Sequence, residues 1–315
     1  CKDSKLTKIK VAEVARSVFY APQYVALSKG YFEEEGLKID LVNANGADKV
    51  TAALLSGDVQ IGLQGPEPTI YLYKNNRTNY LINFAQLTRT DGSFIFGREK
   101  IENFTLDDLR GKSILGGRKG GVPEMTLEYV LKQAGLEVGQ DDDTKDVNVR
   151  TDVAFAALTG SFLDGEGDFV SLFEPNALQI EQQGYGYVVA SLGELGGVVP
   201  YTSYSARKSY IKENSQTIEK FERAIQRGLD YIHKTDDEQI AKDILNQFPN
   251  TSLNDLTKVV TRYKKINAWP KTTEFSEKSW NHLQDIMIEA GQLKEKASYS
   301  CLLYTSPSPR DSTSS

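Results

Sequence analysis

The sequence predicts an α/β protein of two domains, with parallel-rich sheets flanked by helices and a ligand cleft between the domains. Short apolar runs with a period of two alternate with amphipathic helical segments along most of the chain, which is the pattern of β-α-β units. The 315 residues, with 39% hydrophobic and 25% charged side chains, suffice for two domains of ordinary size. Ligands of such folds bind beyond the carboxyl ends of the strands, so we expect the cleft there.

The clearest β-α-β unit lies in residues 36–68. Residues 37–41 and 59–63 alternate apolar and polar side chains, as half-buried strands do. Between them the apolar side chains fall three and four residues apart, with Asp48 near the start and Gly57 at the end, which predicts a helix. Two strands joined in this way form a right-handed parallel unit.

Four strand-end loops and one later segment carry side chains or backbone groups suited to a small ligand. The predicted binding residues are Arg16 and Tyr20, then Gln64, Gly65 and Glu67, then Gly117, Arg118 and Gly120, then Phe173 and Glu174, and finally Tyr201.

The glycine-rich segment 116–121 opens a helix that begins with Pro123 and Glu124. Free N–H groups at such a turn, beside Arg118 and Lys119, would form an anion site. The segment lacks the Gly-Lys-Ser/Thr ending of a phosphate loop. The alternative is a plain tight turn with solvated basic side chains.

Carboxylates and rings in the other loops favour a different ligand chemistry. Glu67 and Glu174 would accept hydrogen bonds from amino or ring N–H groups, while Tyr20, Phe173 and Tyr201 would stack on or cap an aromatic ring. Glu174 also stands at a predicted helix start, where its alternative role is to accept bonds from the free N–H groups of that helix. This mixture favours a nitrogen heteroaromatic ligand over a simple oxyanion.

Composition excludes several classes of function. A net charge of −6 and a pI near 5.2 argue against nucleic acid as a partner. No run of about eighteen apolar residues is present to span a bilayer. With two histidines and two cysteines there is no zinc-site spacing. His233 and His282 fall in predicted C-terminal helices, so we expect no catalytic residue, no metal and no cofactor.

Both ends of the sequence have unusual compositions. Cys1 precedes a short polar stretch, which suggests a lipoprotein with lipid on Cys1 and a tether over residues 1–8. The alternative is an arbitrary chain boundary. Residues 300–315 are rich in Ser, Pro and Thr and resemble a translated sequencing adapter, so we expect a non-native tail that takes no part in the fold.

Several short motifs resemble one protein family. Residues 21–24 (APQY), 29–32 (KGYF), 35–37 (EGL) and 54–62 (LLSGDVQIG) resemble the solute-binding proteins of ABC importers in the SsuA/THI5-like, or NMT1-like, group. That group includes binders of nitrate, sulfonates, taurine and thiamine-precursor pyrimidines. The resemblance extends at lower density over about residues 8–298 and is not specific for the ligand.

The resemblance implies a periplasmic-binding-protein-like fold of type II. It implies a first domain over residues 9–88 and 202–298 and a second, inserted domain over residues 89–201, with two crossings that support hinge closure. It further implies a small-molecule solute, permease subunits of an ABC importer as partners, an extracytoplasmic location with a lipid anchor to the bacterial membrane, and a monomer.

Two alternatives to a thiamine-precursor pyrimidine binder remain at this stage. The first is a sulfonate, taurine or nitrate binder, although Glu67 would repel an anion unless Arg16 or Arg118 offsets it. The second is a THI5-like pyrimidine synthase, an enzyme that consumes its own histidine and carries a cysteine-rich iron motif. The sequence has no cysteine cluster and no histidine in its first two hundred residues.

Overall fold

The structure is a computed structural model that describes residues 5–75 and 78–305. Within these residues eleven strands form two sheets. The strands are β1 (Thr7–Glu13), β2 (Leu37–Asn43), β3 (Ile61–Gln64), β4 (Leu81–Thr88), β5 (Phe94–Gly97), β6 (Lys112–Leu115), β7 (Val138–Gln140), β8 (Val147–Arg150), β9 (Phe169–Leu172), β10 (Tyr187–Ser191) and β11 (Thr202–Arg207).

Both sheets contain a block of parallel strands, as the sequence predicts. The first has the order β2-β1-β3-β11-β4, with β1 parallel to β2 and β3 and with β11 antiparallel to its neighbours β3 and β4. The second has the order β10-β5-β9-β6-β8-β7, in which β6, β7, β8 and β9 pair in parallel and β5 is antiparallel. The parallel-rich α/β fold class is therefore confirmed.

Segments predicted to cross between the sheets are partly strands. The sequence predicts the two crossings at about residues 86–92 and 200–204, whereas β4 continues to Thr88 and β11 begins at Thr202. Tyr204 therefore lies in β11, where it pairs with Ala85 and Leu63. This pairing joins strands more than a hundred residues apart, which no local pattern encodes.

Helices cover the outer faces of the sheets. They are α1 (Ala21–Ser28), α2 (Tyr31–Glu34), α3 (Ala47–Ser56), α4 (Glu67–Lys74), α5 (Val122–Gln133), α6 (Leu158–Leu163), α7 (Asn176–Gln182), α8 (Leu192–Gly196), α9 (Lys208–Glu213), α10 (Ser215–Lys234), α11 (Asp237–Ile244), α12 (Leu253–Lys265), α13 (Glu277–Glu289) and α14 (Tyr299–Leu302). None of the described helices is both long enough and apolar enough to cross a bilayer.

Capping chemistry sets the bounds of several helices. Ser252 accepts a hydrogen bond from the Asp255 N–H at the start of α12. At the start of α11 the cap is Asp236, which accepts a hydrogen bond from the Gln239 N–H. Gly57 ends α3 with φ of 83°, a left-handed conformation that glycine adopts without strain.

The largest core cluster lies on the first sheet and extends beneath the C-terminal helices. α10 packs on α1 and β4, with Phe221 against Phe84 and Tyr204. The prediction that the C-terminal helical run packs outside a sheet is confirmed. Two smaller clusters fill the two faces of the second sheet.

The predicted terminal segments lie partly outside the described residues. Cys1, the predicted lipid site, is among the residues not described, as are residues 306–315. Within the predicted tail, residues 300–305 are described and packed on the fold. Leu302 is fully buried and Leu303 forms an isolated parallel bridge with Asn83 of β4, so the expectation that this part stands apart from the fold is wrong.

Candidate functional site

A cavity of about 700 Å³ lies between the two sheets. That volume is in the range of small-molecule sites. Its wall consists of the loops that follow β1, β2 and β3 from the first sheet and β6, β8 and β9 from the second, together with the residues around the start of β11. The cavity therefore lies at the carboxyl ends of the parallel strands of both sheets.

Most of the residues predicted from the sequence line this one cavity. They are Arg16, Tyr20, Gly65, Glu67, Gly117, Arg118, Phe173, Glu174 and Tyr201. Gln64 and Gly120 do not line it. Gln64 is the last residue of β3, buried beneath the loop, and accepts a hydrogen bond from Thr51 Oγ1 of α3 at 2.9 Å. The Gly120 carbonyl turns away to accept the Tyr71 hydroxyl at 2.9 Å.

Two of the charged residues at the cavity already have partners within the chain. Arg16 donates from Nε to Glu13 Oε1 at 2.6 Å and from Nη1 to Gln247. Glu174 forms an ion pair with Arg262 and accepts a hydrogen bond from the Leu178 N–H of α7 at 2.9 Å. The helix-start interpretation of Glu174 is therefore confirmed, and each of its carboxylate oxygens already accepts a hydrogen bond within the chain.

Glu67 and Glu124 are two buried carboxyl groups of the cavity. Glu67 is 2% exposed, and its Oε2 has no hydrogen-bond partner among the described residues. Burial raises the pKa of Glu67 to about 7, against the opposing effect of Arg118. Glu124 is also fully buried, and its carboxyl interacts with the Glu128 side chain and the Gly120 backbone. Burial and the neighbouring carboxyl of Glu128 raise the pKa of Glu124 to about 10.

Sequence reasoning missed Glu124 as a site residue. It was interpreted only as a charge that favours the start of α5. The available signal was its position in the first turn of a helix that opens from a strand-end glycine loop, because that turn faces the crevice.

One wall of the cavity is aromatic. Tyr20, Phe155, Phe173 and Tyr201 line it. The Phe173 ring centroid lies 5.6 Å from that of Phe155 and 6.3 Å from that of Tyr201. Phe19 packs behind this wall, 1% exposed and outside the cavity lining. An aromatic ring bound here would meet flat apolar surfaces beside carboxyl groups.

Arg118 is exposed at the cavity mouth. It makes no ion pair or side-chain hydrogen bond with the residues that the structure describes. Gly117 and Gly120, with φ of 88° and 81°, give the loop a conformation that suits glycine. Lys119 is exposed and does not line the cavity. The positive charge that acts on Glu67 is therefore the guanidinium of Arg118, which lies at the rim of the cavity.

Asp91 lies behind the aromatic wall, in the segment between β4 and β5. It is 1% exposed, and its Oδ1 accepts a hydrogen bond from the Ser93 N–H at 2.7 Å. Burial raises the pKa of Asp91 to about 6, and the hydroxyls of Tyr201 and Thr126 act in the opposite direction. Asp91 therefore interacts with the Tyr201 hydroxyl on the side of the aromatic wall away from the cavity.

The two histidines lie away from the cavity. His233 Nε2 is 3.0 Å from the Pro270 carbonyl oxygen, and His282 Nε2 is 2.9 Å from that of Gly196. Among residues 5–75 and 78–305 there is no group of three or more His, Cys, Asp or Glu side chains arranged to hold a metal ion. The groups that line the cavity include carboxyls, aromatic rings, backbone, Arg16 and Arg118.

Comparison with known proteins gives the family. The model of the family described as "NMT1/THI5 like" matches residues 18–239. The chain belongs to the NMT1/THI5-like family. One relative, the Bacillus subtilis protein named "Putative binding protein YtlA", is 41% identical over 304 residues, which cover 96% of this chain and 90% of that protein.

More distant relatives of this NMT1/THI5-like chain have an enzyme's name. The 4-amino-5-hydroxymethyl-2-methylpyrimidine phosphate synthase of Aspergillus parasiticus is 28% identical over 221 residues. That match covers 68% of this chain and 63% of the synthase.

Solved structures share the fold of this NMT1/THI5-like protein. The alkanesulfonate-binding protein SsuA from Xanthomonas axonopodis pv. citri, bound to MOPS, gives a TM-score of 0.76 at 15% identity and covers 96% of this chain and 99% of its own. The nitrate-binding protein NrtA from Synechocystis PCC 6803 gives 0.68 at 16% identity, covering 94% and 84%. At such identities the likeness concerns the fold, and the predicted periplasmic-binding-protein-like fold is confirmed.

Proposed function

We propose that the protein is the solute-binding component of an ABC importer and acts outside the cytoplasm. The observation that carries this proposal is one cavity walled by strand-end loops of both sheets. Its groups can bind a small molecule, while both histidines are engaged elsewhere. The relative that is named as a binding protein supports the same conclusion.

The solute in this proposal is a nitrogen heteroaromatic such as a thiamine-precursor pyrimidine. The aromatic wall offers faces on which a flat ring stacks. Glu67 offers an unpaired oxygen, and Glu124 a second buried carboxyl, to amino and ring nitrogen groups. In this proposal Glu124 makes the contact with the ligand that the sequence predicted for Glu174. The pyrimidine named in the synthase relatives lends further support.

A sulfonate or nitrate is the second candidate solute. Arg118 and the start of α5 favour an anion. Two buried carboxyl groups in the same cavity oppose it, since an ionised Glu67 repels an oxyanion. The fold shared with SsuA and NrtA is compatible with both candidates.

The proposed transport cycle includes hinge closure, permease docking and a membrane anchor. Residues 9–88 with 202–298 form one lobe and residues 89–201 the other, and the two close on the solute about the crossings that join the sheets. Lipid on Cys1 holds the monomeric protein at the membrane. A Cys1→Ser variant of the secreted protein should then move from the membrane fraction to the soluble fraction, and unchanged membrane association would contradict the anchor.

A synthase of the THI5 type is the alternative from another functional class. Such an enzyme needs its sacrificial histidine at the bound substrate. Both histidines of this chain bond to backbone carbonyls outside the cavity. The cavity residues therefore favour binding without turnover.

A thermal-shift screen with pyrimidines, flavins, sulfonates, nitrate and amino acids tests the proposal. A true solute at 100 times its dissociation constant adds about 2.7 kcal/mol to the free energy of unfolding, and we expect this from an aminopyrimidine. Stabilisation by taurine or nitrate alone would replace the favoured solute by the second candidate. No stabilisation by any member of the panel would contradict the binding function.

A further inference from the structure

Resting on the proposed solute-binding function, we propose that the buried hydroxyl group of Ser171 binds the solute from the second sheet. Glu67 binds the same solute from the first sheet. The solute of this site therefore carries an amino or ring N–H for Glu67 and a second polar group for Ser171.

Ser171 is a polar residue in a strand that is otherwise apolar. All residues of β9 (Phe169–Leu172) are buried. Side chains alternate along a strand, so Ser171 shares a face of the sheet with Phe169. On that face Phe169 packs in an apolar cluster with Ile95, which is also the residue paired with Ser171 in β5. Packing alone would favour an apolar side chain at this position, so the hydroxyl needs another explanation.

The hydroxyl of Ser171 has no hydrogen-bond partner in residues 5–75 and 78–305. The residue is 2% exposed, and its Oγ is among the buried polar atoms without a partner. A buried hydroxyl without a partner destabilises the folded protein, and most buried polar groups are bonded for that reason. Because Ser171 lines the cavity, a bound solute can supply the missing partner.

Glu67 is the corresponding residue on the first sheet. It also lines the cavity, is 2% exposed and has an Oε2 atom that no described residue bonds. Glu67 lies at the start of α4, which follows β3 of the first sheet, whereas Ser171 lies in β9 of the second. A solute bonded to both groups therefore connects the two sheets across the cavity.

The two groups together select the chemistry of the solute. A carboxylate oxygen accepts a hydrogen bond, while a serine hydroxyl both donates and accepts. An aminopyrimidine can satisfy both, since it has amino N–H groups for Glu67 and a ring nitrogen for Ser171. Nitrate offers acceptors alone, so it would leave an ionised Glu67 without a donor.

Calorimetric titration with 4-amino-5-hydroxymethyl-2-methylpyrimidine tests this role with one substitution and a matched control. Ser171→Ala removes the hydroxyl and should weaken binding by roughly 3- to 10-fold, as expected for the loss of one hydrogen bond. Ser205→Ala is the control, because Ser205 is fully buried in β11, has an equally unpaired Oγ and does not line the cavity. Its affinity should equal that of the unsubstituted protein.

Urea unfolding of the ligand-free proteins separates a solute contact from a role in folding. Both substitutions remove a buried hydroxyl without a partner, so neither should lower the urea concentration at the midpoint. A lower midpoint for Ser171→Ala alone would mean that this hydroxyl is bonded within the folded chain, and it would overturn the inference.

The titrations also distinguish this inference from the proposed function. Equal affinities of Ser171→Ala and Ser205→Ala for the pyrimidine would overturn the inference and leave the binding function intact. If the unsubstituted protein binds taurine or nitrate instead, the pyrimidine assignment fails. A loss of affinity for that solute confined to Ser171→Ala would then still support the contact. No binding of any solute in the panel would contradict the proposed function and, with it, the role of Ser171.

Discussion

Glu67 is a buried carboxyl whose pKa lies near neutral pH. Its pKa is about 7 in the folded protein, against an ordinary value of 4.5, because burial outweighs the attraction of Arg118. Between these two values the folded state holds a proton that the unfolded state has lost. The free energy of unfolding contributed by Glu67 must therefore fall as the pH rises through this interval.

Glu67→Gln should remove that pH dependence. Relative to the unsubstituted protein, the ligand-free variant should gain about 3 kcal/mol in free energy of unfolding between pH 4.5 and pH 8. Urea unfolding at a series of pH values measures the difference. Parallel curves for the two proteins would mean that Glu67 ionises normally in the folded state.

Arg118→Gln tests which solute charge the cavity favours. Without Arg118 the pKa of Glu67 rises, so binding of an aminopyrimidine should weaken by about threefold at pH 6.5 and recover at pH 8.5. Lys119→Gln is the matched control, because Lys119 is exposed outside the cavity. Calorimetric titration at both pH values gives the result, and an equal loss at both would mean that Arg118 does not act on binding through the pKa of Glu67.

The sequence predicts which loops form the site, but it does not predict which carboxyl groups there have partners within the chain. Arg118 and Tyr20 follow strand ends and line the cavity, as that pattern predicts. The roles of Glu174 and Glu124 could not be separated, because the partner of Glu174 is Arg262, which is 88 residues away. Only the packed structure determines which carboxyl remains without a partner.

At the scale of elements, a hydroxyl group of α4 donates a hydrogen bond to the loop before α5. Tyr71 donates to the Gly120 carbonyl at 2.9 Å, and this bond joins the helix after β3 to the loop after β6. It therefore links the two sides of the cavity without lining it. If the sides separate when solute leaves, this bond should break.

Tyr71→Phe should weaken solute binding by roughly 2- to 10-fold, since one hydrogen bond of the closed form is lost. Tyr73→Phe is the matched control on the same helix, because its ring packs on Tyr80 at 5.2 Å and has no bond to the α5 loop. Calorimetric titration of both variants makes the comparison. Equal affinities for the two variants and the unsubstituted protein would show that the Tyr71 bond is not linked to binding.

At the scale of the whole molecule, the two-sheet architecture followed from local patterns, whereas the strand order did not. The alternation in residues 37–41 and 59–63 predicted two parallel strands joined by a helix. Both strands, β2 and β3, pair in parallel with β1, which lies between them. β11 enters the first sheet between β3 and β4, against the prediction of a crossing segment. Its place depends on long-range pairing and on burial of Tyr204.

The central claim is that one cavity between the sheets binds a solute and releases it unchanged. The most direct test is equilibrium dialysis of the protein against the mixed solute panel, followed by mass spectrometry of the small molecules released from the protein. We predict one nitrogen heteroaromatic per chain, with its mass unaltered. Recovery of a chemically altered product, or no enrichment of any solute, would contradict the account.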